Sequence, residues 1–498
     1  MRKSNERILK GLAALLAVFT AVSCVDEKIV ERIVEVEREL FQTPSEAAAG
    51  MLGYTDIETK LTVCGNCHVG PQSKWATTAH ADAWEGLQSS GHAQEFCEGC
   101  HTVNELGNTL TELAGYNATG EDRYHDVQCE SCHGPGLEHV TSPEDANIPL
   151  APIATGVDNT QGCGECHQGA HHPFVEQWEN SGHGTLNSYP AGRDGCNGCH
   201  EAGGVLARWG ETAPYLEQGE LQPQTCAVCH DPHGSPNPAQ LRFPIGGVEI
   251  EQNLCSQCHN RRTVPEEGFH GLHPHSPETA LLNGEAGFFF PGSGIDLEPG
   301  RIIASHGSSG NERLCATCHV VFTTVNDAAT GEFLFESVGH GFKAIPCLDQ
   351  DGIPTSEDCE LSTDTRSFEG CTGAGCHTSV EGVFSALTTA TSRFQDQVTT
   401  LHDLLVQVDP NLEGVGGEID PNNPVITTAE GAYFNMELAA FGGSNRPSVG
   451  LTYAGAAAHN PFLVEQLLRA SINAVVAEYN LSPPVGLDMG LVLGKGLN

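Results

Sequence analysis

The sequence predicts a mainly α-helical fold with extensive loops, and three observations point to it. Eight copies of one motif, two cysteines separated by two residues and followed by a histidine, lie between residues 64 and 319, and each copy is about one helical turn long. Glycine (58 residues) and proline (28) are abundant, whereas aromatic residues make up 6%, which favours loops over a large side-chain core. Residues 381–498 lack cysteine and carry apolar residues at helical spacing.

The repeated motif is too frequent to result from composition. With 21 cysteines and 24 histidines in 498 residues, chance predicts about 0.04 copies. Each cysteine can form a thioether with a haem vinyl group, and the histidine that follows can bind the iron as proximal ligand. The cysteines are Cys64, Cys67, Cys97, Cys100, Cys129, Cys132, Cys163, Cys166, Cys196, Cys199, Cys226, Cys229, Cys255, Cys258, Cys315 and Cys318. The proximal histidines are His68, His101, His133, His167, His200, His230, His259 and His319.

Structural zinc is the alternative for paired cysteines, but it does not explain a histidine at the same offset in every copy. We therefore expect a multihaem cytochrome c fold organised by a haem stack, with haem c as cofactor. The macrocycles would supply the apolar volume that the side chains do not.

A longer version of the motif predicts a ninth haem. Cys371, Cys376 and His377 have the same order, with four residues between the cysteines. The alternative is a disulfide or free thiols beside an accidental histidine. Cys347 and Cys359 lie in a loop without a haem motif, where a disulfide is the simplest assignment.

The haem region, residues 54–380, contains an internal repeat. First cysteines at positions 64, 97 and 129 recur at positions 163, 196 and 226, which defines modules 64–139 and 163–234 and a looser third module at 255–377. The intervening text recurs too: Trp84-Glu85 with Ser90-Gly91-His92 matches Trp178-Glu179 with Ser181-Gly182-His183.

The second axial position of each iron is predicted to hold histidine. The four methionines are Met1, Met51, Met436 and Met489, and none lies between Cys64 and His377. Histidine at both axial positions implies low reduction potentials, since the methionine ligand that raises the potential is missing. The distal candidates are His80, His92, His125, His139, His172, His183, His233, His273, His306 and His340. Further histidines that could bind as distal ligands are His171, His270 and His275, with His402 and His459 in the helical tail.

The N-terminus predicts export and a membrane anchor. Residues 1–23 have basic residues followed by an apolar run, as in a secretion signal, and Cys24 follows directly, as in bacterial lipoproteins. Ala21 departs from the lipoprotein pattern, which usually has leucine there. Residues 24–53 form a tether that contains a short amphipathic helix at 27–40. The expected location is the periplasm, the outer membrane or the cell surface.

The C-terminal region, residues 381–498, predicts three helices. An apolar stripe from Phe384 to Val408 ends at Asp409-Pro410. A capping box at Thr427 and Glu430 starts the second helix, and Asn460 followed by Pro461 starts the third. These helices would pack on the haem domain or form a subunit contact.

The net charge of −41 predicts partners that are not anionic. Such a surface repels nucleic acid and anionic lipid, and it favours basic or cationic partners. A purely solubilising or salt-adapted surface is the alternative.

Three stretches resemble the superfamily that contains hydroxylamine oxidoreductase, its tetrahaem acceptor cytochrome and pentahaem nitrite reductase. They are Trp75 to Trp84 including His80, Val127 to Gly136 followed by Glu138-His139, and Ala458-His459-Asn460-Pro461. The resemblance implies that His80 is a distal ligand and that haems pack in parallel and perpendicular pairs. No motif ends in lysine and no catalytic tyrosine can be assigned, so the resemblance does not transfer activity.

The leading hypothesis is an electron-transfer protein that passes electrons between a donor and an external acceptor or a partner cytochrome. An enzyme acting on nitrite, hydroxylamine or a sulfur oxyanion through one open haem is the second hypothesis. A subunit of a homo-oligomer or conducting filament is the third.

Overall fold

The computed structural model describes residues 50–487, apart from 144–146, 150–154, 156–161, 170–172, 212–220, 269–270, 294–296, 309, 327–329, 332, 351–352, 356, 374–376, 413, 415, 423 and 442–451. The predicted signal, Cys24 and most of the tether therefore lie outside the described residues. Within them the fold is mainly helical with long loops, which confirms the predicted fold class.

The α-helices of the described part are α1 (Val69–Trp75), α2 (Ala83–Ser89), α3 (Glu95–Glu98), α4 (Gly115–Thr119), α5 (Cys129–His133), α6 (Leu137–Thr141), α7 (Phe174–Glu179), α8 (Ser188–Ala191), α9 (Asn197–His200), α10 (Ala202–Arg208), α11 (Cys226–Cys229), α12 (Glu278–Leu282), α13 (Cys315–His319), α14 (Glu369–Thr372), α15 (Val380–Val408), α16 (Thr428–Ala440), α17 (Ala454–His459) and α18 (Pro461–Glu478). Short 3₁₀ helices lie at Cys64–Asn66, Ala79–Asp82, Gly99–His101, Asp122–Tyr124, Cys163–Glu165, Pro238–Gln240, Ile250–Gln252, Cys255–Gln257 and Ser305–Gly307. The described strands pair into antiparallel ribbons: β1 (Tyr54–Asp56) with β2 (Leu61–Thr62), β3 (Thr323–Asn326) with β4 (Phe333–Ser337), and β5 (Cys347–Leu348) with β6 (Pro354–Thr355).

The attachment motifs fold as single helical turns. The N–H of the histidine donates to the carbonyl of the first cysteine at 2.9 Å for His68, His230 and His259. This bond spans four residues, as in an α-helix. It brings both thiols and the imidazole of a motif together, which is the arrangement that haem attachment requires.

The chain divides into two compact units, the first formed by residues 1–152 and 156–165 and the second by 153–155 and 166–498. A small apolar cluster of the first unit contains Met51, Val103, Ala114 and Tyr124. The Tyr124 hydroxyl donates to the Met51 carbonyl at 3.0 Å, so the start of the described chain is held against this cluster.

A buried carboxylate ties the same segment to the third motif. The Glu130 carboxylate accepts hydrogen bonds from the backbone N–H groups of Leu52, Gly53 and Gly136 at 2.8 to 3.0 Å. Desolvation raises the pKa of Glu130, and these three donors oppose that rise. Glu130 therefore links the motif that begins at Cys129 to the chain on both sides of it.

The core of the second unit is formed by helices α15, α16 and α18, and their ends agree with the sequence predictions. Thr427 and Glu430 form the capping box that starts α16. The Asn460 side chain accepts from the Leu463 N–H at the start of α18, and α15 ends before Asp409. Hydrogen-bonded caps remove the unpaired donors of the first turn, which is why these sequence signals locate the helix starts well.

These helices pack on the segment between the seventh and eighth motifs. Asn435 Oδ1 accepts from the Phe288 N–H at 2.7 Å, while its Nδ2 donates to the Phe288 carbonyl at 2.8 Å. Asn460 Nδ2 approaches the carbonyl oxygens of Leu281 and Ile302, each at 2.8 Å. Of the two predicted arrangements, packing on the haem region accounts for these contacts without a second subunit.

An ion pair inside this core leads to a stability prediction. Arg393 on α15 bonds Glu465 on α18, and the two side chains are 13% and 0% exposed. Because removing one partner leaves a buried charge, Glu465→Gln is expected to lower the free energy of unfolding by about 3 to 5 kcal/mol. Denaturant unfolding of the holoprotein, followed by far-ultraviolet circular dichroism, measures this change.

The matched control removes both charges. The double variant Arg393→Met, Glu465→Leu is expected to recover most of that loss, because a packed apolar pair leaves no charge to solvate. A Glu465→Gln variant that is more stable than the double variant would contradict the assignment.

No helix within the described ranges is long and apolar enough to cross a membrane.

Candidate haem-binding sites

Six proximal histidines of the described chain face a second histidine across a gap that fits one metal ion. With histidine–metal bonds of about 2.0 Å, two imidazoles on opposite sides of one iron have ring centres roughly 6 Å apart. The observed ring-centre distances are 6.4 Å for His68 with His139, 5.7 Å for His200 with His275, 6.3 Å for His230 with His340, 6.1 Å for His259 with His183, 6.2 Å for His319 with His459 and 6.0 Å for His377 with His306. These side chains fit bis-histidine ligation of haem iron.

The distal candidate His80 interacts electrostatically with the proximal histidine His101. Burial and, after it, repulsion from His101 lower the pKa of the His80 imidazole. The His80 carbonyl accepts from the Val127 N–H at 3.0 Å, and the indole of Trp75 donates to the Val127 carbonyl at 2.9 Å. Trp75 and Val127 thus position the 3₁₀ turn that carries His80.

Six of the histidines named above have a backbone carbonyl oxygen near Nδ1. The distances are 2.7 Å from His101 to Ala83, 2.6 Å from His230 to Ala239, 2.9 Å from His319 to Phe342, 2.7 Å from His306 to Ala458, 3.1 Å from His340 to Val338 and 2.8 Å from His459 to Gly455. An Nδ1–H that donates to a carbonyl leaves Nε2 as the lone pair for a metal. These carbonyls therefore select the tautomer that haem ligation needs.

Burial also favours the neutral imidazole at these positions. It lowers the pKa of His183, His340 and His459 to about 4 in each case. Metal binding requires a deprotonated nitrogen, so a histidine that is neutral at physiological pH binds iron without first losing a proton. Neutral imidazoles at these three positions therefore fit ligation of haem iron.

Comparisons with known proteins agree with this geometry. A family model described as cytochrome c554 and c-prime matches residues 63–134, and one described as a doubled CXXCH motif matches residues 219–263. The C-type polyheme cytochrome OmcC of Geobacter sulfurreducens is 26% identical over 210 residues, covering 37% of this chain and 24% of OmcC. The multiheme cytochrome MtrA of Shewanella baltica is 24% identical over 238 residues, covering 41% of this chain and 67% of MtrA. The chain is a multihaem c-type cytochrome.

The match spans about a quarter of the length of OmcC. No solved structure gives a significant match. The narrower resemblance to the hydroxylamine oxidoreductase superfamily stays a prediction.

Other distal candidates of the cytochrome contact residues that are not proximal histidines. His125 stacks on the Trp84 indole with ring centres 3.9 Å apart, and no proximal histidine is among its contacts in the described part. His92 is exposed. His233 Nδ1 lies 3.9 Å from Asp231 Oδ1, and His273 Nδ1 lies 3.6 Å from Glu437 Oε2. The His273 ring also packs on Tyr433.

The two remaining proximal histidines are His133 and His167. His133 ends α5, and His167 packs edge-on against Phe174 at 5.7 Å. The distal candidate His172 lies outside the described residues, as do His171 and His270.

Two histidines outside the predicted distal set also face a proximal histidine. His275 faces His200, whereas the prediction chose its neighbour His273. His459 faces His319 although it lies in the helical tail, far along the chain from any attachment motif. The signal for His459 was the segment Ala458 to Pro461, which carries the family resemblance. Chain spacing could not separate His273 from His275, because they are two residues apart.

The structure corrects the alignment of the internal repeat. The Trp178 indole donates to the carbonyl of Gln224 at 2.7 Å, two residues before the Cys226 motif. Trp75 makes the same bond two residues before the Cys129 motif, and both tryptophans lie five residues before a half-buried histidine. Trp178 therefore corresponds to Trp75 rather than Trp84. His183 then corresponds to His80 rather than to the exposed His92.

The remaining cysteines have distinct surroundings. His377 of the longer motif faces His306, and Cys371 is partly buried, while Cys376 lies outside the described residues. A disulfide joins Cys347 and Cys359, with 5.9 Å between their Cα atoms. It closes the loop that contains β5 and β6.

Proposed function

We propose that this cytochrome is an electron conduit in which haems, each held by two histidines, follow one another closely. When bound, haem supplies one-electron chemistry. The protein contributes the thiols that attach it, the imidazoles that complete the iron coordination and the spacing between neighbouring sites. Nine attachment motifs, including the one that begins at Cys371, are proposed to carry haem.

The observation that carries this proposal is the proximity of thiols from different motifs. Interaction with Cys129 of the third motif raises the pKa of the Cys64 thiol of the first motif, so these two sulfur atoms are neighbours. Since each thiol is expected to join the edge of a haem, the proximity of two of them implies that the attached haem edges are neighbours. Electron transfer becomes slower with distance, so adjacent edges favour conduction.

The second unit has two such pairs of thiols, both at the seventh motif. Cys258 of that motif interacts with Cys199 of the fifth motif, which lowers the pKa of Cys199, and Cys255 interacts with Cys315 of the eighth, which lowers the pKa of Cys315. Arg208 strengthens the first contact, because its guanidinium lies 3.2 Å from the Cys199 sulfur and donates to the Gln257 carbonyl at 3.0 Å. We infer that the seventh motif is a junction between the fifth and the eighth.

The proposal is tested on the holoprotein by a haem count from intact mass and by electron paramagnetic resonance. We expect nine haems, all low-spin in the ferric state, because two imidazole ligands give a strong ligand field. Nitrite or hydroxylamine should leave the spectrum unchanged. A high-spin signal from a large fraction of the haems, or a change on adding either compound, would favour the enzyme hypothesis instead.

We further propose that the chain is exported and anchored through lipid on Cys24, with donor and acceptor redox proteins as partners. Support comes from the sequence of residues 1–24 and from the attachment of haem c outside the cytoplasm. Mass spectrometry of the mature N-terminus distinguishes a lipidated cysteine from an ordinary cleaved signal.

A further inference from the structure

One proximal histidine has a charged side chain near Nδ1, the ring nitrogen that does not bind iron. Six axial histidines direct Nδ1 at backbone carbonyls, which carry no net charge. Nδ1 of His259, the proximal histidine of the seventh motif, instead lies 3.4 Å from the Glu278 carboxylate. His259 therefore has a carboxylate near Nδ1 where these six histidines have a neutral carbonyl.

The fold holds Glu278 at this place. Glu278 starts α12, and the next residue, Thr279, donates its backbone N–H to the His259 carbonyl at 3.1 Å. The Thr279 hydroxyl also bonds the hydroxyl of Ser256, inside the same motif, at 2.9 Å. Two bonds from Thr279 thus fix the first turn of α12 against the motif, and they bring the Glu278 carboxylate to the imidazole.

One oxygen of the Glu278 carboxylate is buried beside the imidazole. Glu278 Oε2 is inaccessible to solvent and accepts no well-aligned hydrogen bond within the described residues, and His259 Nδ1 lies 3.4 Å from it. A buried acceptor without another donor costs free energy, which the Nδ1–H of a metal-bound histidine would offset.

We propose that Glu278 is a positioning residue that makes His259 a stronger electron donor to iron and thereby lowers the reduction potential of the haem attached at Cys255 and Cys258. A carboxylate that accepts the Nδ1–H raises the basicity of a ligating imidazole more than a neutral carbonyl does. A more basic axial ligand stabilises ferric over ferrous iron, and hydrogen bonding around the ligand is a recognised means of setting haem potential. Reduction adds one electron to the iron, and Glu278 remains ionised.

The position of the seventh motif gives a lower potential at this haem a functional consequence. This consequence rests on the proposed function, in which the seventh motif joins the fifth and the eighth through their thiols. A haem of lower potential at a junction holds an electron only briefly, so it slows electron exchange between the haems on its two sides. Glu278 therefore regulates how electrons are distributed between the two branches.

The test compares Glu278→Gln with Glu285→Gln in the holoprotein. The first variant keeps the shape of the side chain and removes its charge, and the second removes the same charge from an exposed site nearby. Potentiometric titration, monitored by optical absorption and electron paramagnetic resonance, should show one haem moving to higher potential in Glu278→Gln. The titration of Glu285→Gln should match that of the unaltered protein.

Each outcome is decisive because haem count and spin state are measured on the same samples. Unchanged potentials in a fully loaded, low-spin Glu278→Gln protein, or an equal shift in both variants, would overturn the inference without affecting the conduit proposal. If Glu278→Gln does not load haem, near-infrared magnetic circular dichroism of the unaltered protein replaces it. One low-spin haem should then show a ligand-to-iron band of distinct energy, and identical bands for all haems would refute the inference.

Discussion

The His459→Ala variant is expected to convert one haem from low-spin to high-spin. His459 faces the proximal histidine His319 at 6.2 Å with the two rings nearly parallel, at an angle of 6°. Its Nδ1 is held at 2.8 Å from the Gly455 carbonyl, within α17. Alanine cannot reach the iron, so one axial position would open and the ligand field would weaken.

The change is measured as a new high-spin signal equal to one haem in the electron paramagnetic resonance spectrum. Added imidazole should enter the space left by the side chain and restore the low-spin spectrum. His402→Ala is the matched control, because His402 lies in the same C-terminal region but is 49% exposed and faces no proximal histidine in the described structure. A fully low-spin His459→Ala protein would show that another residue ligates this haem.

The double variant Cys371→Ser, Cys376→Ser is expected to carry one haem fewer than the unaltered protein. The proposed ninth site rests on the order of these residues and on the pairing of His377 with His306. Serine cannot form a thioether, so haem could not remain covalently attached there. The difference is read from the intact mass of the denatured holoprotein.

The control for this experiment removes two cysteines from elsewhere in the same region. Cys347→Ser with Cys359→Ser breaks the disulfide and should leave the haem count unchanged. That loop spans 12 residues, and its closure stabilises the fold by about 3 kcal/mol in the chain-entropy description. Equal haem counts in the unaltered protein and the Cys371/Cys376 variant would refute the ninth site.

Much of this cytochrome follows from local sequence. The attachment motif is a single turn, so its cysteines and proximal histidine come together through a bond over four residues. The starts of α16 and α18 follow from caps within four residues, at Thr427 and Asn460. Such features depend on neighbours in the chain, which a sequence displays directly.

The repeat was recognised but aligned at the wrong tryptophan. The sequence alignment matched Trp84 with Trp178 because each is followed by glutamate, although the two tryptophans differ in their spacing to the next histidine. The bond from each indole to the backbone before the third motif shows that Trp75 is the equivalent of Trp178. The equivalent tryptophans are those whose indoles bond the backbone just before the third motif of their module, and that bond is visible only in the folded chain.

The sequence by itself determined the class of this protein, the sites of haem attachment, the exclusion of methionine between Cys64 and His377, and the helical tail. Tertiary structure alone decided which histidine faces which, that His459 reaches back to His319, and that Glu278 stands behind His259. The reason is physical: attachment needs residues on one turn, whereas a second axial ligand would come from a distant segment whose position only packing specifies.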